Sequence, residues 1–187
     1  MKILAICGSL RAASINAALL RTARRLAPPE IEVTLCSLLG ELPLFNPDLE
    51  AALPASVALL HAQVAAADAL LIASPEYAHG VTGVIKNMLD WLVSFEPFVN
   101  KPVAVLNASP RAHHADAALR ETLKTMSAVI VETASISVPL LGSGIAEPAM
   151  ASTPAIAQPL RDALAALRNA LAPSPSISGT TFPVGPP

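Results

Sequence analysis

Apolar segments of strand length alternate with segments of helical period along almost the whole chain, and this alternation leaves few folds open. Repeated βαβ units generate a parallel sheet with helices on both faces. Strand one takes residues 2–7, and helix one takes 14–27 with Ile15, Leu19, Ala23 and Leu26 on one face. Strand two lies at 32–36 and helix two at 55–67, carrying Val57, Leu60 and Val64. Strand three, 69–73, is Leu/Ile-rich throughout, as a strand buried on both faces must be. Helix three covers 82–95 with Val84, Met88, Leu92 and Phe95 inward, and strand four covers 103–107. Helix four spans 115–127 (Leu119, Leu123, Met126), strand five lies within 129–136, and a last helix, 154–171, repeats Ile156, Leu160, Leu164, Leu167 and Leu171.

Five strands and five helices in this order predict a flavodoxin-like three-layer α/β/α sandwich. Its five-stranded parallel sheet has the order 2-1-3-4-5, and ligands bind at the carboxyl ends of the strands, beside the switch point between strands one and three. The expected domain is 1–171. Residues 172–187, rich in Pro and Ser without a period, are expected to form an extended, mobile tail.

Bulk properties remove several function classes. Hydrophobic residues make up 53% of the 187, yet no apolar run is long enough to span a bilayer. No apolar segment and cleavage site follow Lys2 as in an export signal, so a cytoplasmic location is expected. Cys7 and Cys36 are expected as reduced, buried thiols. A net charge of −2 and 3% aromatic residues argue against nucleic acid as a partner. Arg21, Arg24 and Arg25 form a solvated helix face.

Three loops follow strands one, three and four and open on one sheet edge. In the first, residues 8–16, Ser9, Ser14 and Asn16 can donate to phosphate oxygens, Arg11 supplies a planar donor fork, and the helix start adds partial positive charge. An ordinary turn with Ser14 as N-cap explains the same residues. The loop lacks both G-x-G-x-x-G and the Lys-Ser/Thr of a P-loop. Only three residues separate Cys7 from Arg11, which does not match the Cys-x5-Arg of cysteine phosphatases. The second loop brings Pro75, Glu76, Tyr77, Ala78 and His79; Tyr77 offers an aromatic face, while Glu76 suits a helix-dipole or salt-bridge role and His79 an exposed loop position. Lys86 and Asp90 sit four apart, as a helix-surface pair does. The third loop holds Ser109, Pro110 and Arg111, with Arg111 a charge at the pocket mouth. His113, His114 and Asp116 lack a further cluster that would complete a metal site, so no metal is expected.

Together, Gly-Ser-Leu-Arg-x-x-Ser-x-Asn at 8–16, Pro-Glu-Tyr at 75–77, Lys86-Asn87 with Asp90-Trp91, Lys101-Pro102-Val103 and the Ser109 turn closely resemble the NADPH-dependent FMN reductase family. That family includes flavodoxin-like quinone, chromate and azo-dye reductases, and the resemblance covers residues 2–170. Leu42-Pro43-Leu44-Phe45-Asn46-x-Asp48 is similar to the family's loop after strand two.

The resemblance implies non-covalent FMN. Ser9, Arg11, Ser14 and Asn16 would hold its phosphate, Pro75, Glu76, Tyr77 and Ala78 would line the ring, and Ser109 and Pro110 would approach from the other side. NADPH or NADH would deliver electrons by a ping-pong scheme to a quinone-like or other small acceptor, with Arg111 and His79 as substrate contacts. No protein side chain would be catalytic, since the flavin carries the chemistry. A homodimer or homotetramer is implied, with residues 38–45 and Trp91 as candidate contact surfaces. The family usually has Asn where this chain has Ala78, and its third loop is usually richer in Gly. A non-enzymatic flavin-binding electron carrier and a flavin-free binding module remain open on the same fold.

Overall fold

The computed structural model describes residues 1–172. Strands β1 (Lys2–Cys7), β2 (Glu32–Cys36), β3 (Ala69–Ala73) and β4 (Pro102–Asn107) run parallel, followed by two short pieces, β5 (Val129–Ile130) and β6 (Ile136–Ser137). The sheet order is β2-β1-β3-β4-β5, with β6 also paired to β4. Helices α1 (Ile15–Leu26), α2 (Ala55–Ala66), α3 (Gly83–Asp90), α4 (His113–Thr125), α5 (Glu147–Met150) and α6 (Pro154–Leu171) cover the two faces. The expected tail lies outside the described residues apart from Ala172.

Side-chain alternation along each strand divides the core into two layers. Ile3, Ala5, Leu71, Ala104 and Leu106 pack with Leu19, Leu20 and Ala23 of α1 and Leu160, Leu164 and Leu167 of α6. Leu4, Ile6, Leu70, Ile72, Val103 and Val105 face Val57, Leu60 and Val64 of α2, Ile85 and Met88 of α3 and Leu119 and Leu123 of α4. Every residue of β3 is buried, which requires its unbroken apolar sequence.

Besides α5, a short helix that the five-helix expectation lacks, two elements depart from the expected pattern. Strand five is split by a 3₁₀ turn at Glu132–Ala134. The Ser135 hydroxyl fills the interrupted ladder, accepting from Val105 N at 3.0 Å and donating to the Val131 carbonyl at 3.0 Å. Helix three stops at Asp90 instead of 95, and Leu92 and Phe95 continue in turns that lead to a second 3₁₀ segment, Glu96–Phe98, with Pro97 at its start.

The Asn-x-x-x-Trp part of the third-helix motif serves the fold. Asn87 Nδ2 donates to the Pro43 carbonyl at 3.0 Å and its Oδ1 accepts from Phe45 N at 2.8 Å, while Trp91 Nε1 reaches the same Pro43 carbonyl at 2.9 Å. Phe45 meets the Trp91 ring edge-on at 5.0 Å. These contacts fasten the loop after β2 to α3 and leave Leu44 82% exposed. Trp91 itself is buried, as are Leu38, Leu39 and Leu42, so Trp91 presents no contact surface and Leu44 is the exposed leucine of that stretch. Cys7 and Cys36 are free and half-buried, and burial pushes the Cys36 thiol up. No helix among the described residues is long and apolar enough to cross a membrane.

Candidate active site

In-register pairing of Cys7 with Ala73 and of Ala73 with Leu106 ends β1, β3 and β4 at one level, so the loops that follow them converge. Between them lies a cleft of about 360 Å³, within the ~300–1,000 Å³ range of small-molecule sites.

The first loop forms one end of this cleft. Gly8 N donates to the Ala73 carbonyl at 2.8 Å, and a Cβ on Gly8 would stand 2.2 Å from Ser74 Oγ, so only glycine permits this approach of β1 to the next loop. Ser9, Arg11, Ser14 and Asn16 all line the cleft. Ser14 is also the N-cap of α1, its Oγ accepting from Ala17 N at 3.3 Å, so the capping role and the cleft position coexist in one residue. Asn16 is 4% exposed, yet its Oδ1 has no hydrogen-bond partner. Leaving a buried carbonyl oxygen unpaired costs about 1–3 kcal/mol, and a ligand group that donates a hydrogen bond to it would remove that cost. Arg11 is exposed, and the ion pairs among the described residues engage Arg21, Lys86, Arg120 and Arg168 but neither Arg11 nor Arg111.

Pro75, Glu76 and Tyr77 line a second wall. Tyr77 and Gly80 exchange backbone hydrogen bonds of 3.3 and 3.0 Å, closing a two-residue hairpin turn over Ala78 and His79. Both turn residues have positive φ, 50° and 60°, a pairing that this turn ordinarily meets with Asn-Gly. Held this way, side chains with a Cβ carry strain of about 1–3 kcal/mol each. Ala78 and His79 form the tip and do not line the cleft. Tyr77 is 60% exposed.

Ser109 and Arg111 complete the third wall, while Pro110 stays outside the lining. Asn107 knits this loop, its Oδ1 accepting from Ser109 N at 2.9 Å and its Nδ2 donating to the Ala112 carbonyl at 3.3 Å. Ala112 holds the N-cap position of α4 and offers it no side-chain acceptor. Glu76 supplies the missing acceptor from the neighbouring loop, its Oε2 taking the Ala115 N–H at 2.8 Å. That amide holds the Glu76 carboxyl below the ordinary carboxylate range against a desolvation penalty, with His114 and His79 adding to the effect. The helix-dipole role read for Glu76 is therefore the one its side chain fills. The His79 and His114 rings stack at 4.4 Å, and His113 lies 4.1 Å from His114. Among the described residues no three His, Cys, Asp or Glu side chains converge as metal ligands.

Sequence reasoning did not single out Ala13, Ile15, Ser74, Asn107, Ala108, Ala112 and Leu141, which also line the cleft. A polar Asn107 closing an apolar strand was a readable signal. Leu141 arrives from beyond β6 and carries none.

The cleft thus joins a cationic end, Arg11 beside the N-terminus of α1, to a wall formed by Pro75 and Tyr77. Residues 1–140 match the family model for NADPH-dependent FMN reductase. An NAD(P)H-dependent FMN reductase of Pseudomonas aeruginosa is 44% identical over 112 residues, covering 58% of this chain and 60% of that protein. A quinone reductase of Escherichia coli is 34% identical over 113 residues, with the same shares of 58% and 60%. The chain thus spans about 60% of the length of these relatives. Among solved structures, FerB, a flavoenzyme NAD(P)H:(acceptor) oxidoreductase from Paracoccus denitrificans, superposes with a TM-score of 0.73 at 29% identity, covering 91% of this chain and 96% of that one. Through its sequence and its fold alike, the chain belongs to the NADPH-dependent FMN reductase family.

Proposed function

We propose that this chain is an NAD(P)H-dependent, FMN-containing oxidoreductase that reduces quinone-like or other small planar acceptors. The observation that carries the reading is the convergence of Ser9, Arg11, Ser14 and Asn16 at one end of the cleft, beside the N-terminus of α1. A phosphate monoester there would take donors from Ser9, Ser14 and Asn16 and charge from Arg11. The residues present therefore fit FMN. Its ring would lie along Pro75, Glu76 and Tyr77, with Ser109 opposite. Ala78 and Pro110 act through the turns that they shape, since neither lines the cleft.

Bound FMN supplies two-electron transfer at its ring, which no side chain here can supply. The chain's own residues bind and orient. Arg11 and Ser9 would hold the phosphate end, Tyr77 would wall the ring, and Arg111, on the third wall of the cleft, would offer charge to the phosphates of NADPH or NADH. The proposed order is ping-pong, with the nicotinamide leaving before the acceptor enters. The names of the Pseudomonas and Escherichia relatives support this donor and acceptor class. Assembly as a homodimer or homotetramer through the exposed Leu44 region is part of the proposal, and light scattering on the eluting protein tests it.

Purified protein should show flavin absorbance, or take up added FMN, and oxidise NADPH or NADH when a quinone is present. A colourless protein that takes up no FMN contradicts the reading. A yellow protein that oxidises neither nicotinamide is an electron carrier instead.

A further inference from the structure

We propose that Glu76 is a positioning residue: together with His79 it clasps the hairpin after β3 to the start of α4 and thereby fixes where the Tyr77 ring stands in the cleft. The inference rests on the flavin reading above and extends it to residues that need not touch the flavin.

The hairpin does not specify its own shape. Its two turn residues, Ala78 and His79, both adopt positive φ although neither is Gly or Asn, so the conformation persists only if surrounding contacts impose it. Two contacts cross from the hairpin to α4, and they bracket Tyr77 in sequence. One is the Glu76 Oε2 bond from Ala115 N at 2.8 Å, and the other is the His79–His114 stack at 4.4 Å. Dependence runs both ways, because the Ala112 cap position offers α4 no side-chain acceptor of its own. Tyr77 cannot hold itself. The residue is 60% exposed, and its backbone is fixed by the Gly80 pair inside the same strained turn. The ionisable groups around the Glu76 carboxylate are His79 from its own hairpin and His114 from α4, with the His113 ring tilted against His114 at 4.1 Å.

Tyr77 is the only tyrosine in the chain, so uniform 3-fluorotyrosine labelling gives one ¹⁹F resonance that reports on this ring alone. The line is recorded without FMN for the natural protein, Glu76→Ala, Glu76→Gln and His79→Ala, and FMN is then titrated into each. Glu76→Ala should shift or broaden the line and raise the FMN Kd about tenfold, the value of one charge-assisted hydrogen bond. Glu76→Gln keeps an acceptor for Ala115 and should stay within about threefold. On acidification the natural protein's line should move toward the Glu76→Gln position, because a protonated carboxyl, like the amide, offers Ala115 N a neutral acceptor. If Glu76→Ala does not fold, His79→Ala carries the test, with a smaller shift in the same direction. A Glu76→Ala protein, or failing that a His79→Ala protein, with an unchanged line and unchanged Kd overturns the clasp while leaving the flavin reading intact. Absence of FMN binding by the natural protein overturns the flavin reading, and the clasp's part in flavin binding with it.

Discussion

Glu76 Oε2 accepts the backbone N–H of Ala115 at 2.8 Å, so a residue on the loop after β3 caps the helix that follows β4. Because the bond favours the ionised carboxylate, the carboxyl titrates lower in the folded than in the unfolded chain. Its stabilisation is therefore present above the unfolded carboxyl range and is lost as pH falls through the lower folded value. Melting temperatures of the natural protein and Glu76→Gln should differ most near neutral pH and converge on acidification. Glu147, lowered by its bond from Arg21, adds an acid-sensitive contribution common to both proteins. A gap that stays constant with pH would contradict this account.

Ala78 holds φ of 50°, where Asn is tolerated far better than Ala because its short polar side chain compensates locally. Ala78→Asn should stabilise the protein by roughly 1 kcal/mol, raising the melting temperature by about 2–4 °C. Calorimetry of the two proteins decides it, and an unchanged or lower melting temperature would show that the turn is unstrained.

Gly8→Ala should be among the costly single changes. The new Cβ would meet Ser74 Cβ and Ile85 Cγ1 at 2.7 Å as well as Ser74 Oγ, so β1 and the loop after β3 must separate. A loss of about 1–3 kcal/mol is expected from overpacking of this kind, read from urea unfolding. A midpoint equal to that of the natural protein would refute the close approach.

Asn87→Ala removes both bonds that hold the loop after β2, to the Pro43 carbonyl and from Phe45 N. Two hydrogen bonds at roughly 1 kcal/mol each set the expected loss at about 2 kcal/mol. Hydrogen exchange at the Phe45 amide should accelerate. Unaltered protection there would assign the loop's order to packing instead.

The sheet was legible because its central strands β1, β3 and β4 are buried on both faces and apolar over most of their length, as 70–72 are, while α1 announces itself by Ser14 and a stripe ending at Leu26. Strand five was not, since Val129 to Ile136 is apolar enough for one strand and only the Ser135 hydroxyl's capture of Val105 N reveals the break. Of the residues that line the cleft, Ser9, Arg11, Ser14, Pro75, Glu76, Tyr77, Ser109 and Arg111 could be read because each lies on a loop at a strand's carboxyl end, and Asn16 because it sits in the first turn of the helix that follows. Contacts between loops were hidden: nothing in the order of residues says that Glu76 caps α4, that His79 meets His114, or that Leu141 returns to the cleft.

The account turns on Arg11 and the cradle around it, and an FMN titration of the purified protein beside Arg11→Ala tests that most directly. The natural protein should bind one FMN per chain, and Arg11→Ala should bind it more weakly by about 1.5–3 kcal/mol, the worth of one or two charge-assisted contacts. No FMN uptake by the natural protein, or equal affinity in Arg11→Ala, would contradict it.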